Sequence, residues 1–387
     1  MKKEKQYCHI CGSKESNHFD LGSFHLSMNI SQKETYRKKL NCSPKYHYFL
    51  NECKKCNYFW LRDNHPSLLD SKKFIKFYDL RVNSNEPENH FNELVNWFKD
   101  LNILKKDMSV GLASYKDTSL LNKIKYYTLK HSSMWLENDL LEICYSFNAN
   151  NLEKNKEMSN NKFDLIIARH ILEHFFNPRS LMDFIDSNLS EKGTIYFEVP
   201  SPVNMIREGL SYFLWEEHSS YFTINALRKL FHSYGFKAYF RSFENGKEPI
   251  LCIVLSRLKI LCKERILNDD NLSINLFKEK HKLNKNKIRY YLKDKNIKNL
   301  YFLGAGHLGM KAVCFYDLKE FLRGFVDDMK VKQKKISLAN GLEIFSSNDL
   351  EKGATLIHVL PPESVQRIKK KSTYTNQNMI SLSDIIN

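Results

Sequence analysis

Imidazole and carboxylate side chains are concentrated in two short stretches between residues 163 and 222. Residues 169–174 read RHILEH, and residues 215–218 read WEEH, which places two carboxylates beside an imidazole. A histidine with a pKa near about 6.5 is suited to general-base work at neutral pH, and a neighbouring carboxylate can orient it or bind a substrate. The two stretches are therefore candidate parts of a catalytic site. The alternative for residues 215–218 is a solvated Glu-Glu-His on a helix edge.

The elements around these stretches predict where they lie in the fold. Residues 163–168 and 194–199 are short apolar runs rich in Ile, Val and aromatics, which is typical of buried strands. Residues 180–189 carry apolar side chains at helical spacing, and Gly193 follows as a helix stop. A strand, a helix and a strand form a crossover unit, which predicts a parallel sheet with ligands at the carboxyl ends of its strands.

The pair His170 and His174 has a second interpretation. Residues four apart share one face if the loop begins a helix, so the two imidazoles could bind a metal ion. The sequence offers no third ligand beside them, which argues against a metal site. A helix-capping histidine beside Asn177 and Pro178 is a further alternative for His174.

Two Cys-x-x-Cys pairs lie near the amino terminus. Each pair forms a knuckle whose thiolates can take adjacent corners of a tetrahedron, so together they predict a closed, structural zinc site. Gly12 and Asn57, which directly follow the two pairs, tolerate the turn that a knuckle requires. Four unrelated buried cysteines are the alternative, and His9 and Cys42 are less favoured ligands. The predicted ligands are Cys8, Cys11, Cys53 and Cys56.

A glycine-rich loop near the carboxyl terminus resembles a nucleotide-binding turn. A strand beginning at Leu300 runs directly into Gly304-x-Gly306-x-x-Gly309 and a helix, and Asp327 ends the next strand. This context provides a tight turn, an open helix amino terminus and a carboxylate placed to bind ribose hydroxyls. By residue chemistry alone the loop predicts nucleotide binding. No catalytic Tyr-x-x-x-Lys or comparable set follows the loop, which argues against an NAD-dependent oxidoreductase.

Composition excludes several other classes of protein. The chain has 387 residues and a net charge of +16, but its lysines are scattered and read as solvated helix faces, so we expect no nucleic-acid partner. A basic surface would equally attract a nucleotide-sugar diphosphate. No apolar run approaches the roughly 20 residues of a membrane span, and the first residues have no apolar signal core. With nine cysteines and no export signal, we expect reduced thiols, no membrane association and a cytoplasmic location.

Four stretches carry a resemblance to known methyltransferase families. Residues 163–178 look like the strand and loop that follow the cofactor site in class I S-adenosylmethionine-dependent methyltransferases. Residues 198–202, followed by 216–222 and 227–236, are similar to the sugar C-methyltransferases of deoxysugar biosynthesis. The resemblance implies an α/β protein with a Rossmann-like class I methyltransferase domain, a small zinc-binding domain and a C-terminal half-Rossmann α/β domain. The implied boundaries are 1–70 for the zinc-binding domain, 71–257 for the methyltransferase domain, 258–298 for a helical linker and 299–387 for the Rossmann-like C-terminal domain.

The resemblance also assigns roles to residues of the site. Glu217 and His218 align with a Glu-His pair, so His218 is the expected general base that removes a proton next to a ketone, with Glu217 in support. His174 is expected to face the sugar, and Tyr78 to assist, with a core aromatic as the alternative for Tyr78. Residues 215–216 depart from the family, and the Tyr that the family places there is Trp in this chain, which removes a hydroxyl that could stabilise an enolate oxygen.

The expected cofactor is S-adenosylmethionine, and the resemblance places it beside the first strand. Gly111 and Ala113 stand where the family has a run of glycines, and Glu137 is the candidate ligand of the ribose hydroxyls. Residues 168–170 (Ala168, Arg169 and His170) are expected to line the cofactor cleft.

Together these features predict a methyltransferase that acts on carbon of a nucleotide-linked keto-deoxysugar, with the nucleotide sugar as its substrate. Two alternatives stay open: a cofactor-free sugar-binding or scaffold protein of polysaccharide assembly, and an oxidoreductase built on the C-terminal loop. The oligomeric state is not predicted.

Overall fold

The computed structural model describes residues 7–27, 30–43, 45–61, 88–113, 117–134, 162–243, 248–260, 269 and 271–387, with side-chain detail omitted at 88–89 and 126–134. The amino-terminal region is a small antiparallel sheet that follows the first cysteine knuckle. The first half of its strand at Lys45–Cys53 alternates exposed and buried positions, as a sheet with one covered face requires. Its elements are β1 (Ser16–His25), β2 (Ile30–Gln32), α1 (Tyr36–Cys42), β3 (Lys45–Cys53) and β4 (Phe59–Leu61).

The central region is a six-stranded mixed sheet in the order β10-β11-β8-β7-β5-β6. Neighbours from β8 to β6 run parallel, and β11 is antiparallel to both β8 and β10. This is the class I methyltransferase fold, and the predicted crossover is confirmed. The elements are α2 (Glu88–Asp100), β5 (Met108–Leu112), α3 (Thr118–Thr128), β6 (Leu129–Met134), β7 (Phe163–Arg169), α4 (Pro178–Asn188), β8 (Leu189–Pro200), α5 (Val203–Glu208), β9 (Ser220–Tyr221), α6 (Ile224–His232), β10 (Lys237–Phe243) and β11 (Ile250–Ser256).

Local sequence explains the crossover between β7 and β8. Asn177 caps α4 through its side-chain oxygen, which accepts a hydrogen bond from the backbone N–H of Arg179 at 3.2 Å, and Pro178 occupies the first turn. Asp164 accepts hydrogen bonds from the backbone of Ser109 and the hydroxyl of Ser190, both at 3.0 Å. The carboxylate therefore ties the beginnings of three parallel strands together.

The carboxyl-terminal region is a parallel sheet in the order β15-β13-β12-β16-β17. The long helix before this sheet lies within the predicted helical linker. The hydroxyl of Ser273 caps this helix by accepting a hydrogen bond from the N–H of Leu276 at 3.2 Å. The elements are α7 (Ile274–Lys295), β12 (Leu300–Leu303), α8 (His307–Phe315), β13 (Gly324–Val326), β14 (Lys335–Ser337), β15 (Ile344–Phe345), β16 (Thr355–His358), α9 (Pro362–Lys369), β17 (Asn378–Ser381) and α10 (Leu382–Ile386).

The three regions share sheets and a core. Strand β9 of the central region pairs with β4 of the amino-terminal sheet, and β14 of the carboxyl-terminal region pairs with β2. One apolar cluster includes Tyr48, Ile206, Phe277 and Phe302, which belong to the amino-terminal sheet, the central region, the connector helix and the carboxyl-terminal sheet. The segment between β8 and β9, which contains residues 215–218, therefore lies among the amino-terminal sheet, the connector helix and the carboxyl-terminal sheet. Among the described helices, none has the length and apolarity to cross a membrane.

Candidate active site

Arg169 lies at the carboxyl end of β7 and is completely buried. Its Nε is 2.7 Å from Oε2 of Glu198, and its Nη1 is 3.0 Å from Oδ1 of Asp117. Burial acts to raise the pKa of Glu198, but the guanidinium and the imidazole of His90, 3.0 Å away, outweigh it and hold that pKa well below its usual range. Arg169 was predicted to line the cofactor cleft. It does lie at the expected sheet edge, and its guanidinium there pairs with two carboxylates from neighbouring elements.

His170 and Ala168 flank this arginine and face different surroundings. Ala168 is fully buried in the core behind the sheet. His170 has a backbone φ of 49°, in the left-handed region that side-chain-bearing residues seldom adopt, and 23% of its side chain is exposed. Its Nε2 lies 3.4 Å from Glu198 and its Nδ1 lies 3.5 Å from Glu173. Of the three predicted cleft residues, His170 is the one whose side chain reaches the surface of the site.

The predicted cofactor glycine lies within a strand. Gly111 belongs to β5, and a Cβ built on it would meet the ring of Phe163 at 3.0 Å. The packing of Phe163 therefore accounts for this glycine without a ligand. Ala113 is fully buried just past the strand, and its N–H donates to the carbonyl of Ile167 at 2.9 Å, which joins the ends of β5 and β7. The loop at 114–116 and the predicted ribose ligand Glu137 lie outside the described residues.

Two imidazoles meet beside this edge. The rings of His174 and His218 stand edge to face with centroids 4.8 Å apart, and His218 also contacts Trp215 at 4.7 Å. The Nδ1–H of His174 donates to the backbone carbonyl of Glu217 at 2.9 Å, which leaves the ring's lone pair on Nε2. Burial lowers the pKa of His218 well below its ordinary value, so its imidazole is neutral at pH 7. The structure thus brings together the two histidines that were assigned to the substrate and the base. Tyr78, the remaining predicted catalytic residue, lies outside the described residues.

The carboxylate of Glu173 is buried among these imidazoles. One ligand-type atom each of Glu173, His174 and His218 lies within 4.8 Å of the others. Neither carboxylate oxygen of Glu173 has a hydrogen-bond partner among the described residues, and the 3.5 Å approach of His170 is too long for one. Burial acts to raise the pKa of Glu173, but the neighbouring imidazoles of His170, His174 and His218 lower it to about 2. The sequence placed Glu173 near the site but gave no reason to assign it a role.

Burial is the main cause of a raised pKa in two further carboxyl groups. Glu217 is 4% exposed, and burial raises its pKa well above the ordinary value, with a smaller contribution from Glu216. Burial also raises the pKa of Glu248 to about 7. Glu248 lines a small cavity with Ser201 and Tyr221, and nothing in its sequence surroundings predicted a place in the site. Both acids therefore tend to be protonated, and a protonated carboxyl can donate a hydrogen bond to a substrate oxygen.

The two residues that depart from the family connect the site to the carboxyl-terminal region. Trp215 stacks on His307 with ring centroids 4.6 Å apart and planes 21° apart. One carboxylate oxygen of Glu216 forms an ion pair with Lys311, whose Nζ lies 2.7 Å away, and both of these side chains are almost fully buried. The other oxygen accepts from the N–H and the hydroxyl of Ser27, at 2.7 and 2.9 Å. A lysine inside the apolar helix α8 was the one sequence signal that could have predicted this contact.

The glycine-rich loop has the predicted turn. Gly304 has a φ of 93°, and a Cβ on Gly309 would lie 2.3 Å from the carbonyl oxygen of Gly304, so both positions require glycine. A Cβ on Gly306 would meet nothing within 4 Å. Asp327, the predicted ribose ligand, accepts hydrogen bonds from the N–H of Ala305 and from Nζ of Lys332, both at 3.0 Å. Its carboxylate therefore already binds groups of the protein, one in the glycine-rich loop and one on Lys332.

The four predicted cysteines form one cluster. Their sulfurs all lie within 4.8 Å of one another, and the pairs Cys8–Cys56 and Cys11–Cys53 are 3.5 Å apart. A tetrahedral zinc ion with Zn–S bonds of about 2.3 Å would hold sulfurs roughly 3.8 Å apart. Gly12 and Asn57 have φ of 70° and 56°, so both knuckles have the expected turn. The alternative ligands are elsewhere, because Cys42 is exposed and His9 packs on Phe176.

One family model and several solved structures are similar to this chain. Residues 92–239 match the family model described as "Methyltransferase domain". Similar solved structures include the N-methyltransferase NodS from Bradyrhizobium japonicum WM9 in complex with S-adenosyl-L-homocysteine, with 12% identity over 49% of this chain and 97% of that one (TM-score 0.31). Another is the magnesium protoporphyrin IX methyltransferase ChlM from Synechocystis PCC 6803 with bound SAM, with 11% identity, 51% and 87% coverage, and a TM-score of 0.29.

A third similar structure is the plantazolicin methyltransferase BpumL in complex with a desmethyl analogue and SAH, with 16% identity over 49% of this chain and 91% of that one (TM-score 0.31). No curated protein matches the sequence. The family match identifies the six-stranded unit as a methyltransferase domain. On this match the chain is an enzyme with a methyltransferase domain.

Proposed function

We propose that this enzyme methylates a carbon atom of a nucleotide-linked keto-deoxysugar, with His218 as the general base. The observation that carries the proposal is the neutral, partly buried imidazole of His218 in contact with His174 and next to the carboxylate of Glu173. Methylation of carbon requires removal of a proton next to a ketone before the methyl group is attacked. A neutral imidazole beside a fixed negative charge can accept that proton, because the carboxylate stabilises the imidazolium that forms.

The other residues of the site have separate tasks in this reaction. His174 is held by its hydrogen bond to the carbonyl of Glu217, so it can orient the sugar hydroxyl or keto group. Glu217 and Glu248, whose pKa values are raised by burial, can donate hydrogen bonds to sugar oxygens. The stack of Trp215 on His307 closes one side of the site and excludes water from it.

S-adenosylmethionine would supply the electrophilic methyl group when bound. The ends of β5 and β7, at Ala113 and His170, are the described positions that could contact it, and the small side chain of Ala113 suits the close approach of a ligand to the backbone. We infer in addition that the four clustered cysteines hold a structural zinc ion. Their four sulfurs lie within 4.8 Å of one another, so one tetrahedral ion can bind all of them.

The test separates the base from the methyl donor. In D₂O, wild-type enzyme with a nucleotide-linked keto-deoxysugar and no methyl donor should exchange the proton next to the ketone, as followed by NMR. With S-adenosylmethionine it should form S-adenosylhomocysteine and a C-methylated sugar. His218→Asn should lose both reactions while binding S-adenosylmethionine with unchanged affinity, and His232→Asn, which alters an exposed imidazole on α6, should keep both. Exchange at the wild-type rate in His218→Asn would refute the role of His218.

A cofactor-free sugar-binding protein is the second candidate. It is favoured by the packing of Gly111 against Phe163, which removes the glycine as an argument for a cofactor loop. Calorimetric titration with S-adenosylmethionine and then S-adenosylhomocysteine decides between the two. Micromolar affinity, about −8 kcal/mol, supports the methyltransferase, and no binding at two temperatures supports the cofactor-free protein.

A further inference from the structure

We propose that Glu173, His174 and His218 form a second metal site, for a divalent first-row transition ion such as zinc. The geometry is that of two imidazoles and one carboxylate, with one donor atom from each residue within 4.8 Å of the others. Protein sites of this composition hold zinc or iron(II) and keep coordination positions open for water or substrate. The sequence had suggested a His170–His174 pair without a third ligand. The fold instead supplies His218 and Glu173.

The buried carboxylate points to a cation. Glu173 is 2% exposed, and neither of its oxygens has a hydrogen-bond partner among the described residues. A buried acceptor without a donor costs free energy, and a buried charge more, unless a positive group compensates it. The described titratable groups around Glu173 include the imidazoles of His170, His174 and His218, and the carboxyl group of Glu248. A metal ion bound to the carboxylate and two of these rings provides that compensation.

The orientation of His174 provides an independent argument. Its Nδ1–H donates to the backbone carbonyl of Glu217 at 2.9 Å, so Nε2 carries the lone pair. Metal-binding histidines generally have this arrangement, in which a carbonyl or carboxylate accepts from the second ring nitrogen and fixes the ring. The acceptor belongs to the residue next to His218, so the same backbone segment positions both imidazoles.

Metal binding has a consequence that rests on the proposed function. A ligating imidazole donates its lone pair to the metal, and the same lone pair is needed when His218 removes a proton. Occupancy of the site and general-base work by His218 therefore exclude each other, and a zinc-class cation is expected to inhibit the proton exchange described above.

Cobalt(II) is the probe for the site, because it distinguishes the two kinds of ligand spectroscopically. Full-length protein whose four-cysteine cluster is loaded with zinc is titrated with Co²⁺ and followed by visible absorption and calorimetry. We expect one equivalent to give d–d bands without the intense thiolate charge-transfer band. The affinity should fall in Glu173→Gln and His218→Ala by more than the roughly 10–100-fold that loss of an outer-shell partner costs. His232→Ala is the matched control and should bind like the wild type.

Each outcome supports or overturns the proposal. The proposal would be overturned if the wild type binds no equivalent of Co²⁺ whose spectrum lacks the thiolate charge-transfer band. It would also be overturned if the wild type and both ligand variants bind that equivalent with equal affinity. Circular dichroism spectra and thermal melts of each variant show whether a lost site reflects lost folding, and His218→Ala decides if Glu173→Gln does not fold. Cobalt binding by an enzyme that never transfers methyl groups would leave the site intact and refute only the proposed function.

Discussion

Replacing Lys311 with Met should strongly destabilise the folded protein. In the structure Nζ of Lys311 lies 2.7 Å from Glu216 and 4.0 Å from the centroid of the Tyr48 ring, with both charged groups almost fully buried. Removal of one partner of a buried ion pair leaves the other charge uncompensated, which costs about 3–5 kcal/mol. Glu216 would keep its hydrogen bonds from Ser27 and from the hydroxyl of Tyr48, at 2.6 Å for the latter, so we expect the lower half of that range.

The cost should depend on pH in a defined direction. Burial raises the pKa of Glu216 from 4.5 to about 7, so the folded protein binds a proton there more tightly than the unfolded chain does. Without the lysine, the free energy of unfolding therefore falls as the pH rises from about 4.5 through the folded pKa. The difference between the wild type and Lys311→Met should be smaller at pH 6 than at pH 8.5, because at pH 6 the carboxyl group of Glu216 is neutral in the variant.

Urea unfolding, followed by circular dichroism and tryptophan fluorescence, measures this cost. The double variant Glu216→Gln/Lys311→Met is the control, since replacement of both partners removes the buried charge and should recover at least half of the loss. A cost below about 1 kcal/mol at pH 8.5, or a double variant no more stable than Lys311→Met, would refute the reasoning.

Three further predictions concern other parts of the chain. Removal of metal by a strong chelator, or Cys53→Ser, should unfold the amino-terminal sheet and reduce the strand signal in circular dichroism. Zinc analysis of the native protein should find the metal. Retention of the sheet without metal would contradict the zinc assignment. Gly111→Ala should cost about 1–3 kcal/mol by urea unfolding, because its Cβ would lie 3.0 Å from the ring of Phe163, and an unchanged stability would show that the ring can move aside. The rate of methyl transfer should stay constant as the pH falls to about 6.5 and decline only below that pH, because burial lowers the pKa of His218 and a base must be deprotonated to act. A decline centred above pH 6.5 would argue against His218 as the base.

Patterns of short range predicted much of the fold. The apolar runs around residues 163–168 and 194–199 became β7 and β8, and the helix between them begins at Pro178 beside its Asn177 cap. Residues 91, 94, 95 and 98, which recur at helical spacing in the sequence, are buried in α2. These elements follow from hydrophobic periodicity and turn chemistry, which act over a few residues.

The candidate site was predicted only in part. His218 and His174 were identified from residue type and family resemblance, and the structure places their rings in contact. Glu248, His307 and Lys311 were missed, because each reaches the site from an element that is distant in the sequence. Residues 215–216 were interpreted as a departure with consequences for the substrate, whereas in the structure both side chains contact helix α8.

The sequence by itself determined the elements, the two cysteine knuckles and the glycine turn, because each depends on the conformations that neighbouring residues can adopt. Only the tertiary structure decided which charges meet. Glu216 pairs with Lys311, and Glu173 lies between imidazoles of two segments, because burial of two neighbouring apolar clusters brings these segments together. Polar groups removed from water by that packing must find partners inside the protein, and the identity of each partner is a property of the assembled fold.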